Sequence, residues 1–158
     1  MARRKFTRRE KPEYEQKLLE LARVTRVVKG GRRFRFRAVL IIGNRNGKVG
    51  VGVAKGVDVS EAVRKAFNGA KKNMVLIKRH NNTIACPVEV KFGSAKVMIK
   101  PAKPGRGIVA GGAVRSVVEL AGIRDIVSKS MGSANKLSVA RATVKALESV
   151  KLLSSREK

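Results

Sequence analysis

The chain has 158 residues, enough for one medium domain or two small ones, and its 37 Lys and Arg against 11 Asp and Glu give a net charge of +26. The positive charge is spread along the body: ten basic residues and no acid occur between Glu20 and Asp58. The windows between Glu61 and Glu89 and between Glu89 and Glu119 each hold six basic residues and no acid. Because a solvated surface normally mixes both signs, this pattern predicts a polyanionic partner, and nucleic acid is the usual one.

Composition argues against a membrane partner and against catalysis. The longest apolar run, AVLII at 38–42, is too short to span a bilayer, and the first eleven residues carry six basic side chains and no apolar segment of a signal peptide. Cys86 and His80 each occur alone, which leaves no disulfide, zinc cluster or nucleophile–base pair, and a single thiol fits a reducing cytoplasm. We therefore predict no enzymatic activity, no catalytic residue, no metal, no cofactor and no small-molecule substrate.

In chain order, residues 1–20 are predicted to be a basic arm and a short amphipathic lead-in, with strands beginning at Arg23. RVTRVVK forms the first strand, and the glycine pair at 30–31 makes a tight basic turn into FRFRAVLII. The period-two rule separates Arg35 and Arg37 from an apolar face of that second strand. That face is predicted to consist of Phe34, Phe36, Ala38, Leu40 and Ile42.

The glycines of KVGVGVAKG at 48–56 could belong to a phosphate-binding loop or to a strand. Gly50 and Gly52 fall on one strand face, and Gly56 comes one position too late for the dinucleotide pattern G-x-G-x-x-G. Lys48 is followed by Val49, so the P-loop pattern fails as well. Since a strand face without side chains admits close approach of another backbone, we interpret these glycines as packing positions.

A basic helix follows, with Asp58 and Glu61 at the spacing of a capping box and Ser60 as an alternative cap. Its apolar side is predicted to be Val63, Ala66, Phe67, Ala70, Met74 and Ile77. Residues 21–77 thus form a β-β-β-α unit, which is most of a double-stranded-RNA-binding domain. Aromatic residues make up only 4% of the chain, so binding of single strands by base stacking is disfavoured.

Residues 78–86 are polar and are predicted to link this unit to a second domain at 87–153, followed by a tail at 154–158. The second domain begins with a hairpin that turns at Gly93–Ser94, then a glycine-rich loop at 103–112 and a helix that stops at Gly122. IRDIVSKSM is a further strand. The last helix buries Leu137, Ala140, Val144 and Leu147. The predicted fold class is α+β with two small domains: an N-terminal β-β-β-α domain like those that bind double-stranded RNA, and a C-terminal two-layer α/β domain.

Three stretches resemble the bacterial ribosomal protein S5 family: VVKGGRRFRFRAVLIIGNRNGKVGVGVAKG, KPAKPGRGIVAGGAVRSVVELAGIRDI and GSANKLSVARAT. The resemblance spans residues 20–150. It implies a structural component of the 30S subunit that binds 16S rRNA, contacts ribosomal proteins S4 and S8, and supports mRNA entry and translational accuracy on the cytoplasmic ribosome. It also implies that Gly105, Arg106, Gly107 and Arg115 face the S4-like neighbour. The alternative is a free-standing RNA chaperone or ribosome assembly factor that uses the same RNA-binding half.

The residues expected to bind rRNA are basic side chains that can neutralise phosphates, together with two glycines that let a hairpin tip enter a narrow RNA crevice. They are Arg23, Arg26, Lys29, Gly30, Gly31, Arg32, Arg33, Arg35, Arg37, Lys48, Lys55, Arg64, Lys71 and Lys72. The helix start near Gly111 also presents free N–H groups, which either hold an anion or fit the helix tightly to its sheet. The sequence does not favour one of these two over the other.

Overall fold

The structure, a computed structural model, describes residues 13–154, with side chains over 13–150. Residues 1–12 of the predicted arm and lead-in and residues 155–158 of the predicted tail lie outside the described residues. Ser154, predicted to begin the tail, is instead the last residue of a helix. Within the described range the elements are β1 Glu15–Val28, β2 Gly31–Gly43, β3 Lys48–Gly56, α1 Val59–Lys72, β4 Met74–Leu76, β5 Val88–Phe92, β6 Ala95–Pro101, β7 Ile108–Val109, α2 Gly112–Ala121, β8 Ile126–Gly132 and α3 Lys136–Ser154. They form two four-stranded sheets, ordered β1-β2-β3-β4 and β5-β6-β8-β7, which confirms the α+β fold class.

The first strand begins at Glu15, so the predicted start at Arg23 is wrong. Leu18 and Leu21 are three residues apart, a spacing typical of a helix and not of a regular strand. A β-bulge between Leu18 and Glu20 inserts one extra residue, so Leu18 lies opposite Leu40 and Leu21 opposite Ala38. Both leucines therefore share one face of the sheet, and the apparent lead-in is the first half of β1.

Helix α1 packs on β2 and β3 through small side chains. Ala62, Ala66 and Ala70 are fully buried there, next to Leu40 and Ile42 of the sheet. The helix ends at Lys72, so Met74 and Ile77 were wrongly assigned to its apolar side. Met74 instead opens the short strand β4, and the Ile77 N–H donates to the carbonyl oxygen of Gly47 at 2.8 Å. A strand of three residues is too short to show a period in sequence, which is why β4 was missed.

The glycines of β3 provide the close approach that the sequence predicted. A Cβ placed on Gly52 would lie 2.6 Å from the backbone nitrogen of Ala70 and would also overlap the carbonyl oxygen of Ala66. A Cβ on Gly50 would lie 3.0 Å from Met74 Cγ and would overlap the carbonyl oxygen of Ala70. The packing interpretation of these two glycines is confirmed, because the backbone of α1 occupies the space that side chains would need.

The second sheet forms largely as predicted. The hairpin of β5 and β6 turns at Gly93 with φ 60°, and α2 ends at Gly122 with φ 80°. The predicted strand IRDIVSKSM begins later, at Ile126, and pairs in parallel with the two-residue strand β7, which the sequence did not predict. On α3, Ala140 and Leu147 are buried, whereas Leu137 and Val144 are only partly buried against the core.

The two sheets share a hydrophobic core. In β2, Leu40 contacts the α1 side, whereas Ile41 joins a cluster that contains Val117 of α2 and Ile126 of β8. The run at 38–42 is buried on both faces, which explains why it is continuously apolar. The predicted linker is anchored in the same core, since Ile84 is only 1% exposed. The domain limits at 21–77, 78–86 and 87–153 remain a prediction. No helix in the described part of the chain is long and apolar enough to cross a bilayer.

Candidate nucleic-acid interface

The far end of the β1–β2 hairpin carries a basic face. Residues directly opposite on antiparallel strands point to the same side, as do residues two apart on one strand. Arg26 lies opposite Arg33, and Lys55 of β3 lies opposite Arg37 of β2. Arg33, Arg35 and Arg37 alternate along β2, so these five cations share one face. We call Arg26, Arg33, Arg35 and Lys55 the hairpin cluster; they line a groove of about 490 Å³.

The same hairpin extends beyond the rest of its sheet. Strand β3 pairs with β2 only from Phe36 to Gly43, so the segment from Gly31 to Arg35 is held by β1 alone. The tip consists of Lys29, Gly30 and Gly31, all exposed, and Gly31 has φ 136°. No atom comes within 4 Å of a Cβ placed on either glycine, so space around the tip is open. The tip can therefore enter a crevice in a partner.

Three of the predicted rRNA ligands differ in the contacts that their guanidinium groups make within the protein. Arg32 is exposed on the opposite face from the hairpin cluster, next to Val27. Arg23 Cζ lies over the ring of Phe34, 4.5 Å from its centroid, a cation–π contact that holds the guanidinium close to the ribbon. Arg37 pairs with Glu20, its Nη2 donating to Oε2 at 3.1 Å, so part of its charge is already neutralised within the protein.

The remaining predicted cations flank α1. Arg64, Lys71 and Lys72 are exposed on the helix, and Lys48 at the start of β3 shares a small cavity with Lys71. They lie at a different place from the hairpin cluster, so the predicted rRNA ligands form two groups. No hydrogen bond or salt bridge among residues 13–150 joins either group to the loop at 105–107.

Two carboxylates, those of Asp58 and Glu61, lie at the start of α1. Asp58 is the N-cap residue, but its side chain makes no capping hydrogen bond, so the predicted capping box does not form; its carboxylate accepts from the Ser60 hydroxyl instead. Glu61 accepts from Lys65 Nζ at 2.7 Å and from the backbone N–H of Val57 at 2.8 Å. The Ser60 hydroxyl lowers the pKa of Asp58, and Lys65, followed by the Val57 N–H, lowers the pKa of Glu61.

The predicted protein-facing segment is an ordered loop next to α2. Gly105 and Gly107 both have positive φ, 84° and 75°, and the Gly107 N–H donates to Asp125 Oδ1 at 2.9 Å. Asp125 is buried, so it holds the loop from inside while Arg106 is exposed. Arg115 Nη2 donates to the carbonyl oxygen of Ile108 at 2.9 Å. These contacts place all four predicted residues in one region.

The space around the first residues of α2 bears on the two interpretations of this helix start, an anion site or a tight fit of the helix to its sheet. A Cβ on Gly111 or Gly112 would meet no atom within 4 Å. These glycines are therefore not needed for tight packing of the helix on its sheet, and that interpretation is wrong at these positions. The anion interpretation stays a prediction.

Sequence analysis missed an arginine-lined cleft between the two halves of the molecule. Arg45, Arg79, Arg115 and Arg124 line a cavity of about 710 Å³ together with Glu119. Only Arg115 was among the predicted site residues. Arg45 follows β2, Arg79 follows β4 and Arg124 follows α2, so only the fold brings them together. The one available signal was that Arg45 and Arg79 fall in windows without acids.

Comparison with known proteins gives the class of the molecule. Residues 14–78 match the family model "Ribosomal protein S5, N-terminal domain", and residues 90–156 match "Ribosomal protein S5, C-terminal domain". Relatives from Campylobacter jejuni subsp. jejuni serotypes O:23/36 and O:6 are named "Small ribosomal subunit protein uS5". Each is 52% identical over 139 residues, covering 88% of this chain and 95% of the relative. The two-domain α+β fold is thus that of a ribosomal protein.

The chain belongs to the ribosomal protein S5 family. Membership confirms the resemblance seen in the sequence motifs, the ribosomal location on the translation machinery of the cytoplasm, and the interpretation as a structural ribonucleoprotein component rather than an enzyme.

Proposed function

We propose that this protein is a structural component of the small (30S) ribosomal subunit that holds folded 16S rRNA by neutralising its phosphates. The observation that carries the proposal is the hairpin cluster. Among the described residues, none of its four cations forms a salt bridge with a carboxylate. Arg26 and Arg33 lie directly opposite each other, and like charges in that position destabilise a sheet. A bound polyanion relieves this repulsion.

Three of the four side chains in the hairpin cluster are arginines, which bind phosphate with more defined geometry than a lysine ammonium group does. Arg26, Arg33 and Arg35 each present a planar guanidinium that can donate two parallel hydrogen bonds to phosphate oxygens. Each neutralised phosphate releases condensed counterions, so affinity depends steeply on salt. Because the ribbon carries few aromatic side chains, it reads the shape and backbone of folded RNA rather than stacking on bases.

A second surface is proposed to contact neighbouring ribosomal proteins. Gly105, Arg106, Gly107 and Arg115 form the segment that faces the S4-like neighbour, and the internal contact with Asp125 supports this role by holding the loop in one conformation. The contact with ribosomal protein S8, the position at the mRNA entry region and the support of translational accuracy rest on likeness to the family. They complete the proposed role.

The test measures how binding to 16S rRNA falls with salt. Replacing Arg32 and Arg33 by Ala is expected to flatten the slope of log affinity against log salt by roughly 0.7–0.9 for each lost phosphate contact. The matched control, Arg32→Lys with Arg33→Lys, keeps both charges and loses the fork geometry, so its affinity drops while its slope stays near that of the wild type. An alanine variant with the wild-type slope would exclude Arg32 and Arg33 as phosphate contacts, one on each face of the hairpin, and would contradict the proposal.

The free-standing RNA chaperone is separated from this proposal by fractionation of cell extracts. A stoichiometric component stays with 30S particles through a moderate-salt wash, whereas a chaperone is released. Recovery of the protein only in the released fraction would contradict the proposed structural role.

A further inference from the structure

The cleft between the two halves of the molecule has an excess of positive charge. Four arginines, at 45, 79, 115 and 124, line it with a single glutamate, Glu119. The carboxylate of Glu119 already accepts from Lys17 Nζ at 2.8 Å. Arg45 pairs with Glu15 at 2.7 Å, but within the described part of the chain the other three arginines make no salt bridge. Converging cations without counter-charges are unfavourable unless an anion binds among them.

The walls of this cleft are held firmly. The backbone N–H of Arg45 donates to the carbonyl oxygen of Leu120 at 2.9 Å, and that of Gly47 donates to Ala121 at 3.0 Å. Arg79 Nη1 donates to the carbonyl oxygen of Gly122 at 3.0 Å, and its Nη2 donates to Asn46 Oδ1 at 3.2 Å. The turn after β2 is thereby fixed to the end of α2, and a preorganised site loses little entropy on binding.

Arg45 itself is held in an uncommon backbone conformation. Its φ is 54°, a left-handed value that residues other than glycine and asparagine seldom adopt. Such conformations persist where the surrounding structure enforces them, and they concentrate at functional sites. Here the Arg45 backbone N–H is held by Leu120 of α2, and its side chain is held beside the cleft by Glu15 of β1.

We propose that this cleft, lined by Arg45, Arg79, Arg115 and Arg124, binds the phosphodiester backbone of RNA as a second contact separate from the hairpin cluster. Arg79 fixes the walls, and Arg115 lies where the cleft meets the loop at 105–107. Glu15 holds Nε and Nη2 of Arg45. The donors that grip phosphate oxygens are therefore those of Arg124 and the remaining Nη1 of Arg45. The volume of about 710 Å³ accommodates a phosphate with its sugar, and the lining is polar, as a phosphate needs and an apolar ligand does not.

This inference rests on the proposed function, and its test uses the full-length protein with 16S rRNA. Arg45→Gln with Arg124→Gln removes two cleft charges and retains part of each side-chain stem. The matched control, Arg141→Gln with Lys145→Gln, removes two charges from exposed positions of α3 that do not line the cleft. The cleft variant is expected to flatten the salt slope by roughly 0.7–0.9 for each phosphate contact, and the control to stay near wild type.

The outcomes separate the two proposals. A cleft variant with the wild-type slope, measured beside a hairpin variant whose slope has fallen, overturns the cleft as an RNA contact and leaves the proposed function standing. Equal loss in the cleft variant and the α3 control reduces the effect to net charge and also overturns it. Saturable binding of inorganic phosphate that is lost in the cleft variant, with unchanged RNA binding, identifies a free-anion site instead. Absence of 16S rRNA binding by the wild type would refute the proposed function itself.

Discussion

Replacement of Gly52 by alanine tests how closely α1 and β3 approach each other. The new Cβ would lie 2.6 Å from the Ala70 nitrogen and 2.8 Å from the Ala70 Cβ, whereas ordinary contacts are 3.4–4 Å. These neighbours belong to the helix backbone and its first side-chain atom, so rotation of a side chain cannot relieve the overlap. The helix must move by roughly 1 Å, and overpacking of this kind costs about 1–3 kcal/mol.

Because both sides of the contact are backbone, we expect a cost near the upper end, about 3 kcal/mol. At roughly 2–4 °C per kcal/mol for a chain of this size, the midpoint of thermal unfolding should fall by about 6–12 °C. Circular dichroism during thermal and urea unfolding measures both quantities. Urea unfolding gives the change in free energy, provided the dependence on denaturant is unchanged.

Gly69 offers a matched control on the same helix. A Cβ placed there would meet no atom within 4 Å, so Gly69→Ala changes only the helix propensity and should stabilise the protein by about 0.5–1 kcal/mol. Opposite signs for the two substitutions would confirm that steric contact, not glycine itself, decides the result. A Gly52→Ala protein as stable as the wild type would refute the close approach of α1 to β3.

Two further substitutions, Gly122→Ala and Glu61→Gln, probe the ends of the helices, and Gly105→Ala in a loop is the control for the first. Gly122→Ala places a Cβ on a residue with φ 80° and against the carbonyl oxygen of Arg45, so it should destabilise the protein by about 2–4 kcal/mol in urea unfolding. Gly105→Ala, at φ 84° in open space, should cost only about 1 kcal/mol. Equal costs for the two variants would contradict the contact between residue 122 and Arg45. Since folding lowers the pKa of Glu61, its stabilisation is present above the ordinary value of 4.5 and is lost as the pH falls through the lowered pKa. Glu61→Gln should therefore lose less stability than the wild type between neutral and acidic urea titrations, and an identical loss would count against the contacts with Lys65 and Val57.

The parts of the fold that sequence patterns predicted are those governed by local chemistry. Gly50 and Gly52 could be placed on one strand face because the side-chain period of a strand is two. Gly122 could be assigned to the end of α2 because a left-handed residue is required there. The first half of β1 could not be recognised, because the bulge after Leu18 places two leucines three residues apart on the same face of the strand, a spacing that is typical of a helix. Strand β7 has only two residues and shows no period at all.

The candidate site divides in the same way. Arg33, Arg35 and Arg37 are close together in sequence, so their placement on one face of β2 follows from the strand period of two. The arginine-lined cleft depends on contacts between residues far apart in the chain, such as Arg45 with Leu120 and Arg79 with Gly122. No local sequence pattern predicts contacts between residues that are so far apart in the chain. The pairing of Arg37 with Glu20 was hidden for a related reason, because the bulge sets which β1 residues lie beside β2.

Burial of β2 on both sides has a consequence for the arginines that lie farther along the same strand. Sliding β2 by a single residue would turn Leu40 away from α1 and Ile41 away from α2, so two independent packing surfaces oppose the slip. The same slip would rotate Arg33 and Arg35 to the wrong side of the ribbon. The orientation of the charges is thus dictated by aliphatic side chains that never touch the partner, and a conservative-looking core replacement can misdirect the guanidinium groups without altering one of them.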